Sequence, residues 1–216
     1  MQSIRWKIAQ AFEIRWWRQY LKSKTKTEYL AWKRQYWLDF LKKCELNPSK
    51  DATVLDAGCG PAGIFMLFDS PKTTVALDPL LDRYEQDLEH FRRADYPNID
   101  FVASPLELWT PPQTFDYVFC LNAINHVADL ERCFDLLLAA TKPGATLVVS
   151  IDAHNYQAFK HIFRLAPGDI LHPHQYDLAE YEAMLTSRGC RIENTICMKK
   201  EFFFDYYVLV ARKNVG

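Results

Sequence analysis

The fold of this chain is decided by a ten-residue stretch, VLDAGCGPAG, at residues 54–63. A short apolar run leads there into three glycines with the spacing Gly-x-Gly-x-x-Gly: Gly58, Gly60 and Gly63. The whole chain of 216 residues has only seven glycines, so three of them within six residues are a concentrated signal. Glycine permits positive φ and lets a ligand approach the backbone, while free N–H groups at the start of the next helix face that ligand. The stretch therefore predicts a buried strand followed by a ligand-binding loop.

Beyond residue 50, short β-branched apolar runs alternate with stretches of helical periodicity, as in parallel strands joined by helical crossovers. We predict strands at 52–57, 73–78, 98–103, 115–121, 145–151, 190–198 and 203–212. We predict helices at 61–69, 80–93, 129–141 and 176–188. The expected fold is α/β, a doubly wound, seven-stranded and mostly parallel sheet whose ligand crevice lies at the carboxyl ends of its strands.

An N-terminal helical extension is predicted to precede this domain. From residue 3 to about residue 43 there is no Gly or Pro, and apolar residues recur at helical spacing. Two helices with a break near residues 23–27 are the expected result. The turn signal Asn47-Pro48-Ser49 then marks a boundary. We therefore divide the chain into an extension at 1–49 and an α/β domain at 50–216.

The composition is that of an ordinary globular protein, with 49% hydrophobic and 25% charged residues, and disorder by composition is excluded. No apolar run approaches the roughly 18 residues needed to span a bilayer. The N-terminus opens with charges rather than with the apolar segment of a signal peptide. The six cysteines show no CxxC pair and no regular spacing, so neither a zinc site nor a disulfide framework is predicted. We expect a cytoplasmic protein with no bound metal.

Two acidic residues decide which ligand the loop is predicted to bind. The glycine spacing, with Asp78 about 20 residues further on at the end of the second predicted strand, also matches the dinucleotide fingerprint. Asp56 lies two residues before the first glycine, where a carboxylate would crowd a pyrophosphate but can bind an ammonium group. S-adenosylmethionine (SAM) carries such an ammonium group and no phosphate. The set therefore favours SAM over NAD.

The residues Leu55-Asp56-Ala57-Gly58-Cys59-Gly60-Pro61, together with Ala76-Leu77-Asp78, resemble the class I SAM-dependent methyltransferases, and the resemblance covers about residues 50–212. It implies a SAM-binding methyltransferase domain in which the amino-acid end of SAM is held by Asp56, Gly58, Cys59, Gly60 and Gly63. It also implies that Asp78 binds the ribose hydroxyls, because a carboxylate offers two acceptors to two vicinal donors. Pro79 and Leu80 are then expected to lie against the adenine ring.

The sequence departs from the family pattern after the third predicted strand. Family members often carry an Asp there to meet the adenine amino group, whereas this sequence has Ser104. The Ser104 hydroxyl or the Leu106 backbone is predicted to accept that hydrogen bond instead. At the end of the fourth predicted strand, Leu121 and Asn122 are predicted to border the methyl donor.

Histidines supply the candidates for a catalytic base on the acceptor side. The methyl group of a sulfonium is already activated, so the protein must mainly align the acceptor and exclude water, and a base is optional. His126 follows the fourth predicted strand, His154 follows the fifth, and His174 precedes the last predicted helix. Any single histidine is also typical of a structural residue at a helix end or surface. We expect these three to line the acceptor pocket and assign the base to none.

The sequence thus predicts an enzyme that transfers the SAM methyl group to oxygen or nitrogen of a small-molecule acceptor, releasing S-adenosylhomocysteine (SAH). One alternative is a SAM-binding regulatory or partner subunit without its own catalysis, and another is an NAD-dependent oxidoreductase. Nucleic acid is disfavoured as substrate. Enzymes that methylate amino groups of nucleic-acid bases usually carry an Asn/Asp-Pro-Pro-Tyr/Phe motif after the fourth strand, whereas this sequence has Asn122-Ala123-Ile124-Asn125 there. The sequence names neither the acceptor nor the oligomeric state.

Tryptophan and basic residues are concentrated in the N-terminal extension. Five of the six tryptophans lie in the first 40 residues, and residues 1–50 carry a net charge of +8 against −9 for the remainder. Three interpretations compete: a cap over the acceptor pocket, a surface for peripheral contact with an anionic membrane, or a nucleic-acid patch. Aromatic residues in a cap would favour an apolar or aromatic acceptor, and basic residues at its rim an anionic one.

Overall fold

A computed structural model describes residues 4–68, 74–154, 176–201 and 204–215. The α-helices in these ranges are α1 (Ile4–Leu21), α2 (Lys26–Lys43), α3 (Leu81–Asp87), α4 (Leu130–Ala140) and α5 (Leu178–Thr186). The strands are β1 (Val54–Ala57), β2 (Thr74–Leu77), β3 (Ile99–Val102), β4 (Phe115–Cys120), β5 (Thr141–His154), β6 (Cys190–Lys199) and β7 (Phe204–Lys213).

These seven strands form one sheet in the order β3-β2-β1-β4-β5-β7-β6. Strand β7 runs antiparallel to both of its neighbours, and the other neighbouring strands pair in parallel. The predicted doubly wound, mostly parallel α/β sheet with N-terminal helices is confirmed. The strand order reverses at β1 and β4, so the ends of these two strands open the crevice in which ligands of such sheets bind.

Each face of the sheet carries its own hydrophobic core, because successive residues of a strand point to opposite faces. On one face, Val54 and Phe119 pack with buried side chains of α1, α2 and α3. On the other face, Leu55 and Val118 pack with buried side chains of α4 and α5. The central strands are therefore buried on both faces, which explains their continuous apolar runs in the sequence.

The two N-terminal helices contribute directly to the first of these cores. Helix α2 begins after Thr25, whose side chain accepts a hydrogen bond from the Glu28 backbone N–H. The side chains that α2 buries recur at helical spacing: Tyr29, Trp37, Phe40 and Leu41. The break between α1 and α2 lies where the sequence predicts it. Across the described ranges, no helix has the length and apolarity needed to cross a bilayer.

The helix predicted at 61–69 is wrong. Two short 3-10 turns, Gly60–Ala62 and Ile64–Leu67, occupy its first part, and they are separated at Gly63, whose ψ of −179° is extended. The physical reason is Asp56, whose carboxylate accepts a hydrogen bond from the Phe65 backbone N–H at 3.0 Å. That N–H is therefore bonded to a side chain rather than to the carbonyl four residues earlier, as an α-helix requires.

Two further boundaries differ from the prediction. Helix α3 ends at Asp87 rather than near residue 93, because the Arg92 guanidinium binds the carbonyls of Glu85 and Leu88 that a longer helix would use. Strand β5 begins at Thr141 instead of 145. Its Thr141 hydroxyl donates to the Leu137 carbonyl at 2.7 Å, so helix α4 passes into the strand without a loop.

Candidate functional site

The cofactor loop, residues 58–63, follows the end of β1, contains the first 3-10 turn and is held against the end of β2. The backbone N–H groups of Gly58 and Cys59 both donate to the Leu77 carbonyl, at 2.7 and 3.1 Å. Gly58 has φ +74°, and a Cβ there would lie 2.2 Å from the Ala123 Cβ. Only glycine therefore allows the chain that follows β4 to lie directly against this loop.

Asp56 is a buried carboxylate at the end of β1 that stabilises the loop through a hydrogen bond to the backbone that follows it. Its Oδ2 accepts from the Phe65 N–H at 3.0 Å, and a Cβ on Gly63 would lie 2.3 Å from the same oxygen. Burial raises the pKa of Asp56 to about 7, while hydrogen bonds from Phe65 and Ile64 and the charge of Lys33 oppose that rise. One oxygen of Asp56 thus fixes the turn at Gly63 in addition to any contact with a ligand.

Asp78 is the corresponding buried carboxylate at the end of β2. Its Oδ1 accepts from the Leu80 N–H at 2.8 Å and its Oδ2 from the Gly60 N–H at 3.0 Å. Burial, followed by the negative charge of Glu13, raises the pKa of this carboxyl to about 7. The structure therefore brings the two acids of the sequence motif onto adjacent strand ends, with the glycine loop between them. Pro79 is partly buried and Leu80 is buried beside Asp78.

Helix α1 lies over this part of the site. A Cβ on Gly60 would be 3.7 Å from the Trp17 ring, so the indole is close to the loop. Glu13 accepts a hydrogen bond from the Tyr84 hydroxyl at 2.8 Å and is close enough to Asp78 to raise its pKa. Sequence reasoning counted Trp17 among the tryptophans of a possible cap but gave Glu13 no role, because its proximity to Asp78 depends on how the helix docks.

Helix α2 is attached to the same loop and places a lysine beside Asp56. The Trp37 indole N–H donates to the Ala62 carbonyl at 3.0 Å, and Arg34 donates to the Met66 carbonyl at 2.7 Å. Lys33 Nζ lies 4.4 Å from the centroid of the Trp37 ring. Burial lowers the pKa of Lys33 to about 8, against the opposing charge of Asp56. Sequence reasoning missed Lys33, although its aromatic neighbours three and four positions on were a usable signal.

Ser104 and Leu106 follow β3, the strand next to β2. The Asp78 N–H and the Ser104 N–H both donate to the Val102 carbonyl, at 3.1 Å each, which places Ser104 close to Asp78. The Ser104 hydroxyl donates to the Pro105 carbonyl at 3.1 Å. Its oxygen can still accept a bond from an adenine amino group. Leu106 is buried at the start of a 3-10 turn.

The end of β4 carries Leu121, which is buried, and Asn122, which has φ +54°. The Asn122 backbone N–H donates to the Ser150 hydroxyl at 2.7 Å. The partly buried Tyr206 pairs with Asp152 across the β5–β7 ladder, and burial raises the pKa of Tyr206 well above its usual value. This phenol is therefore a neutral hydrogen-bond donor over the whole physiological pH range.

Asn125, rather than the predicted His126, points into the molecule at this end of the sheet. The Asn125 amide donates to the Asp152 carboxylate at 3.0 Å and accepts from the Tyr181 hydroxyl at 3.1 Å. His126 is exposed at the end of a 3-10 turn. We call the following set the polar cluster: Asn122, Asn125, Ser150, Asp152 and Tyr206.

The remaining predicted histidines are only partly located. His154 is the last residue of β5, where its backbone pairs with Phe204 of β7. Its side chain lies outside the described part of the chain, and so does the whole of His174. The assignment of these two residues to the acceptor pocket stays a prediction.

Comparison with known proteins gives the chain a family. A family model described as a methyltransferase domain matches residues 29–195. The chain is 29% identical over 119 residues to a ubiquinone biosynthesis O-methyltransferase of Bradyrhizobium sp. (strain ORS 278), an alignment that covers 53% of this chain and 45% of the relative. The chain thus spans about half the length of the curated relatives that it matches.

Solved structures share the fold at low sequence identity. The 1,6-didemethyltoxoflavin-N1-methyltransferase of Burkholderia thailandensis, solved with 1,6-didemethyltoxoflavin and SAH, is 15% identical with a TM-score of 0.60, covering 99% of this chain and 92% of that one. The cyclase SpnF is 15% identical with the same TM-score of 0.60, covering 85% of this chain and 81% of its own. Since a methyltransferase and a cyclase are equally similar in fold, the fold by itself does not assign the reaction.

Proposed function

The chain belongs to the class I SAM-dependent methyltransferases, and from this premise we propose that it methylates an oxygen or nitrogen of a small-molecule acceptor and releases SAH. One observation carries the proposal. Two buried carboxylates, Asp56 and Asp78, end adjacent parallel strands on either side of one glycine loop. That arrangement provides negative groups for an ammonium and for ribose hydroxyls, and the Asp56 carboxylate would crowd a pyrophosphate.

The residues around the loop fit SAM in charge and in hydrogen-bonding capacity. Each oxygen of Asp78 accepts one backbone N–H, so lone pairs remain for the two ribose hydroxyls. At the other end of the loop, Asp56 matches the ammonium of the amino-acid moiety and Lys33 matches its carboxylate. Burial disfavours the charged forms of both groups. A ligand with an ammonium group beside Asp56 and a carboxylate beside Lys33 would stabilise the charged forms of both side chains.

The protein's own contribution to the reaction is to orient the acceptor and to exclude water. Bound SAM supplies a methyl group on a positively charged sulfur, whose loss leaves a neutral thioether. Trp17 lies against Gly60 and Trp37 is bonded to Ala62, so both N-terminal helices cover the loop. We infer that residues 1–49 act as a cap on the domain at 50–216.

We propose that the acceptor binds beside the polar cluster, at the ends of β4 and β5. His126, His154 and His174 stay candidates for a base there. Asp152 is a further candidate, because it is partly buried and its Oδ2 is oriented by Asn125. A base with a pKa near neutral would help the methylation of a hydroxyl acceptor, whereas positioning suffices for an amine that loses its proton readily.

The test is methyl transfer by the isolated chain. Methyl-labelled SAM is incubated with the protein and a panel of small phenols, alcohols and amines, and label in the organic products is counted. We expect label in at least one neutral acceptor, with SAH formed in equal amount. Tight SAH binding without transfer to any acceptor would instead support the alternative of a SAM-binding partner subunit.

We also propose peripheral contact with anionic membrane through the outer face of α1. Phe12 and Trp16 are each 55% exposed, Arg15 is exposed three positions after Phe12 in the same helix, and Lys22 is exposed just beyond the end of the helix. Sedimentation with phosphatidylglycerol vesicles should fall strongly in the Phe12→Ala plus Trp16→Ala variant. Binding that survives this change, or that is equal on phosphatidylcholine vesicles, would contradict the proposal.

A cytoplasmic location stays part of the proposal, supported by six cysteines that are all free thiols. Nucleic acid stays disfavoured as substrate on the sequence grounds given above. The absence of a gel shift with DNA and RNA oligonucleotides at physiological salt would agree with that expectation.

A further inference from the structure

A groove runs between helix α2 and the carboxyl end of β6. Its volume is about 270 Å³. The walls are the aromatic or apolar side chains Trp32, Tyr36, Phe40 and Met198, and the exposed residues Gln35, Asp39 and Lys43, whose two charges are opposite, complete the lining. Trp32 is 51% exposed although it is a large aromatic residue. A wall of this composition binds an apolar, flat molecule better than a charged one.

The inner wall of this α2–β6 groove leads to the polar cluster. Met198 of the groove wall lies in β6 between Cys197 and Lys199, which pair with Tyr207 and Tyr206, so the groove approaches Tyr206 of β7 there. Tyr206 lies two residues from Val208, the β7 partner of Ser150, and the Ser150 hydroxyl accepts the Asn122 backbone N–H. Across the β5–β7 ladder, Tyr206 pairs with Asp152. Through Tyr206, the groove therefore lies beside the strand ends that border the predicted methyl donor.

The chemistry of this inner end selects the reacting group. The Tyr206 phenol is held neutral by burial and can donate a hydrogen bond, whereas the Asp152 carboxylate can accept one. A hydroxyl needs one donor and one acceptor, so it matches this pair. A carboxylate on the ligand would meet Asp152 with like charge. The pair therefore favours a neutral hydroxyl over an acid.

We propose that the α2–β6 groove is the acceptor site and that it takes a neutral aromatic molecule bearing one ring hydroxyl and an apolar substituent. This inference rests on the proposed methyltransferase function and adds the site and the substrate class. Tyr206 is a positioning residue for the hydroxyl, and Trp32 contacts the apolar part. In the transfer, the ring oxygen forms the bond to the methyl carbon as the carbon–sulfur bond breaks. Sulfur keeps the electron pair, and the hydroxyl proton leaves to water through Asp152.

The experiment uses the full chain and 4-butylphenol as the probe. SAH affinity is first measured by calorimetry for every variant, which tests the cofactor end separately. Methyl transfer to 4-butylphenol is then measured for Trp32→Ala, with Leu38→Ala as the matched control, because Leu38 is an exposed apolar residue of the same helix outside the groove. We expect KM to rise at least tenfold in Trp32→Ala with kcat retained, and to stay within twofold in the control.

Tyr206→Phe is compared with Tyr207→Phe, its neighbour in β7, whose hydroxyl contacts Asp205 and whose ring packs in the other core. We expect kcat to fall at least tenfold in Tyr206→Phe, with KM and SAH affinity changed less than threefold, and no change in Tyr207→Phe. Equal loss in both variants would indicate a general structural effect and would overturn the assignment of Tyr206.

Other results distinguish a failure of this inference from a failure of the proposed methyltransferase function. An unchanged KM in both Trp32→Ala and Met198→Ala, with methyl transfer intact, would show that the groove is not the acceptor site. The proposed methyltransferase function would still hold. Faster methylation of 4-butylbenzoate than of 4-butylphenol would overturn the neutral class of acceptor. If the SAH complex neither methylates nor saturably binds 4-butylphenol, the inference fails. If wild-type protein binds no SAH, the proposed function itself fails.

Discussion

The two ends of the crevice are built in different ways. At the cofactor end, a contiguous loop and two carboxylates are fixed mainly by backbone N–H groups. At the acceptor end, the polar cluster draws side chains from β5, β7 and the segment after β4, and side-chain groups make its bonds: Asn125 donates to Asp152, and the Ser150 hydroxyl accepts the Asn122 N–H. The structure of the cofactor end therefore depends mainly on backbone conformation, whereas that of the acceptor end depends mainly on contacts of side chains. Changes in the loop should alter folding and SAM affinity together, whereas changes in the polar cluster should leave SAM affinity intact.

The largest effect is expected from Gly58→Ala. The residue has φ +74°, and its Cβ would lie 2.2 Å from the Ala123 Cβ. Left-handed backbone and overpacking together should lower the free energy of unfolding by about 2–5 kcal/mol. Urea denaturation of the purified variant measures this loss, and calorimetry with SAH should show a parallel loss of affinity.

Gly189→Ala is the matched control for that prediction. Gly189 has φ +80° but no atom within 4 Å of its Cβ position, so only the backbone cost of about 1–2 kcal/mol should remain. SAH affinity should be unchanged in this variant. An equal loss of stability in the two variants would show that the contact with Ala123 is unimportant.

The pH dependence of stability tests the two buried carboxyls. Both have folded pKa values of about 7, above the usual value of about 4 in an unfolded chain. Their protonated forms therefore favour the fold, and the stability that they contribute is lost as pH rises from about 4 through 7. The free energy of unfolding of the ligand-free protein should be lower at pH 8 than at pH 5 by a few kcal/mol.

Two variants and one ligand sharpen this pH prediction. Asp56→Asn and Asp78→Asn should each flatten the dependence, because the amide does not ionise. SAH should bind more tightly at pH 8 than at pH 6, since its donor groups favour the ionised carboxylates. Stability that rises from pH 5 to pH 8 would contradict the burial of these groups.

Asp78→Asn tests the ribose contact directly. Loss of hydrogen bonds to a charged acceptor should raise the Kd for SAH about 10–100-fold, with the fold retained. Asp100→Asn, an exposed position on the neighbouring strand β3, is the control and should bind SAH as wild type does. A Kd within twofold of wild type in Asp78→Asn would mean that the ribose lies elsewhere.

The smallest effect is expected at the acceptor end, from Asn125→Leu. The variant removes the hydrogen bonds to Asp152 and Tyr181 and should lower the free energy of unfolding by about 1–2 kcal/mol. Its SAH affinity should stay within twofold of wild type, whereas methyl transfer should slow. Loss of SAH affinity along with stability would break the proposed separation between the two ends.

Much of the cofactor end could be predicted from the sequence because its signal is local. The glycine spacing, Asp56 and Asp78 predicted the family, the fold and SAM as cofactor, and the family match confirms these. The helix at 61–69 was wrong for a tertiary reason: the Asp56 carboxylate bonds the Phe65 N–H that the helix would have used. Propensity within the segment gives no warning of such a bond.

The acceptor end could not be predicted in the same way. Tyr206, Asp152 and Tyr36 come from separate elements, and only the sheet order and the docking of α2 bring them together. The search for histidines drew attention to His126, which is exposed, and away from its neighbour Asn125, which is buried. A turn of a few residues decides which of the two side chains points inward.

The central claim is that the loop and its two carboxylates hold SAM rather than a dinucleotide, and calorimetric titration of the wild-type chain with SAH and with NAD tests it most directly. Saturable binding of one SAH per chain is expected, with no heat of binding for NAD under the same conditions. Saturable binding of NAD together with no binding of SAH would contradict the claim.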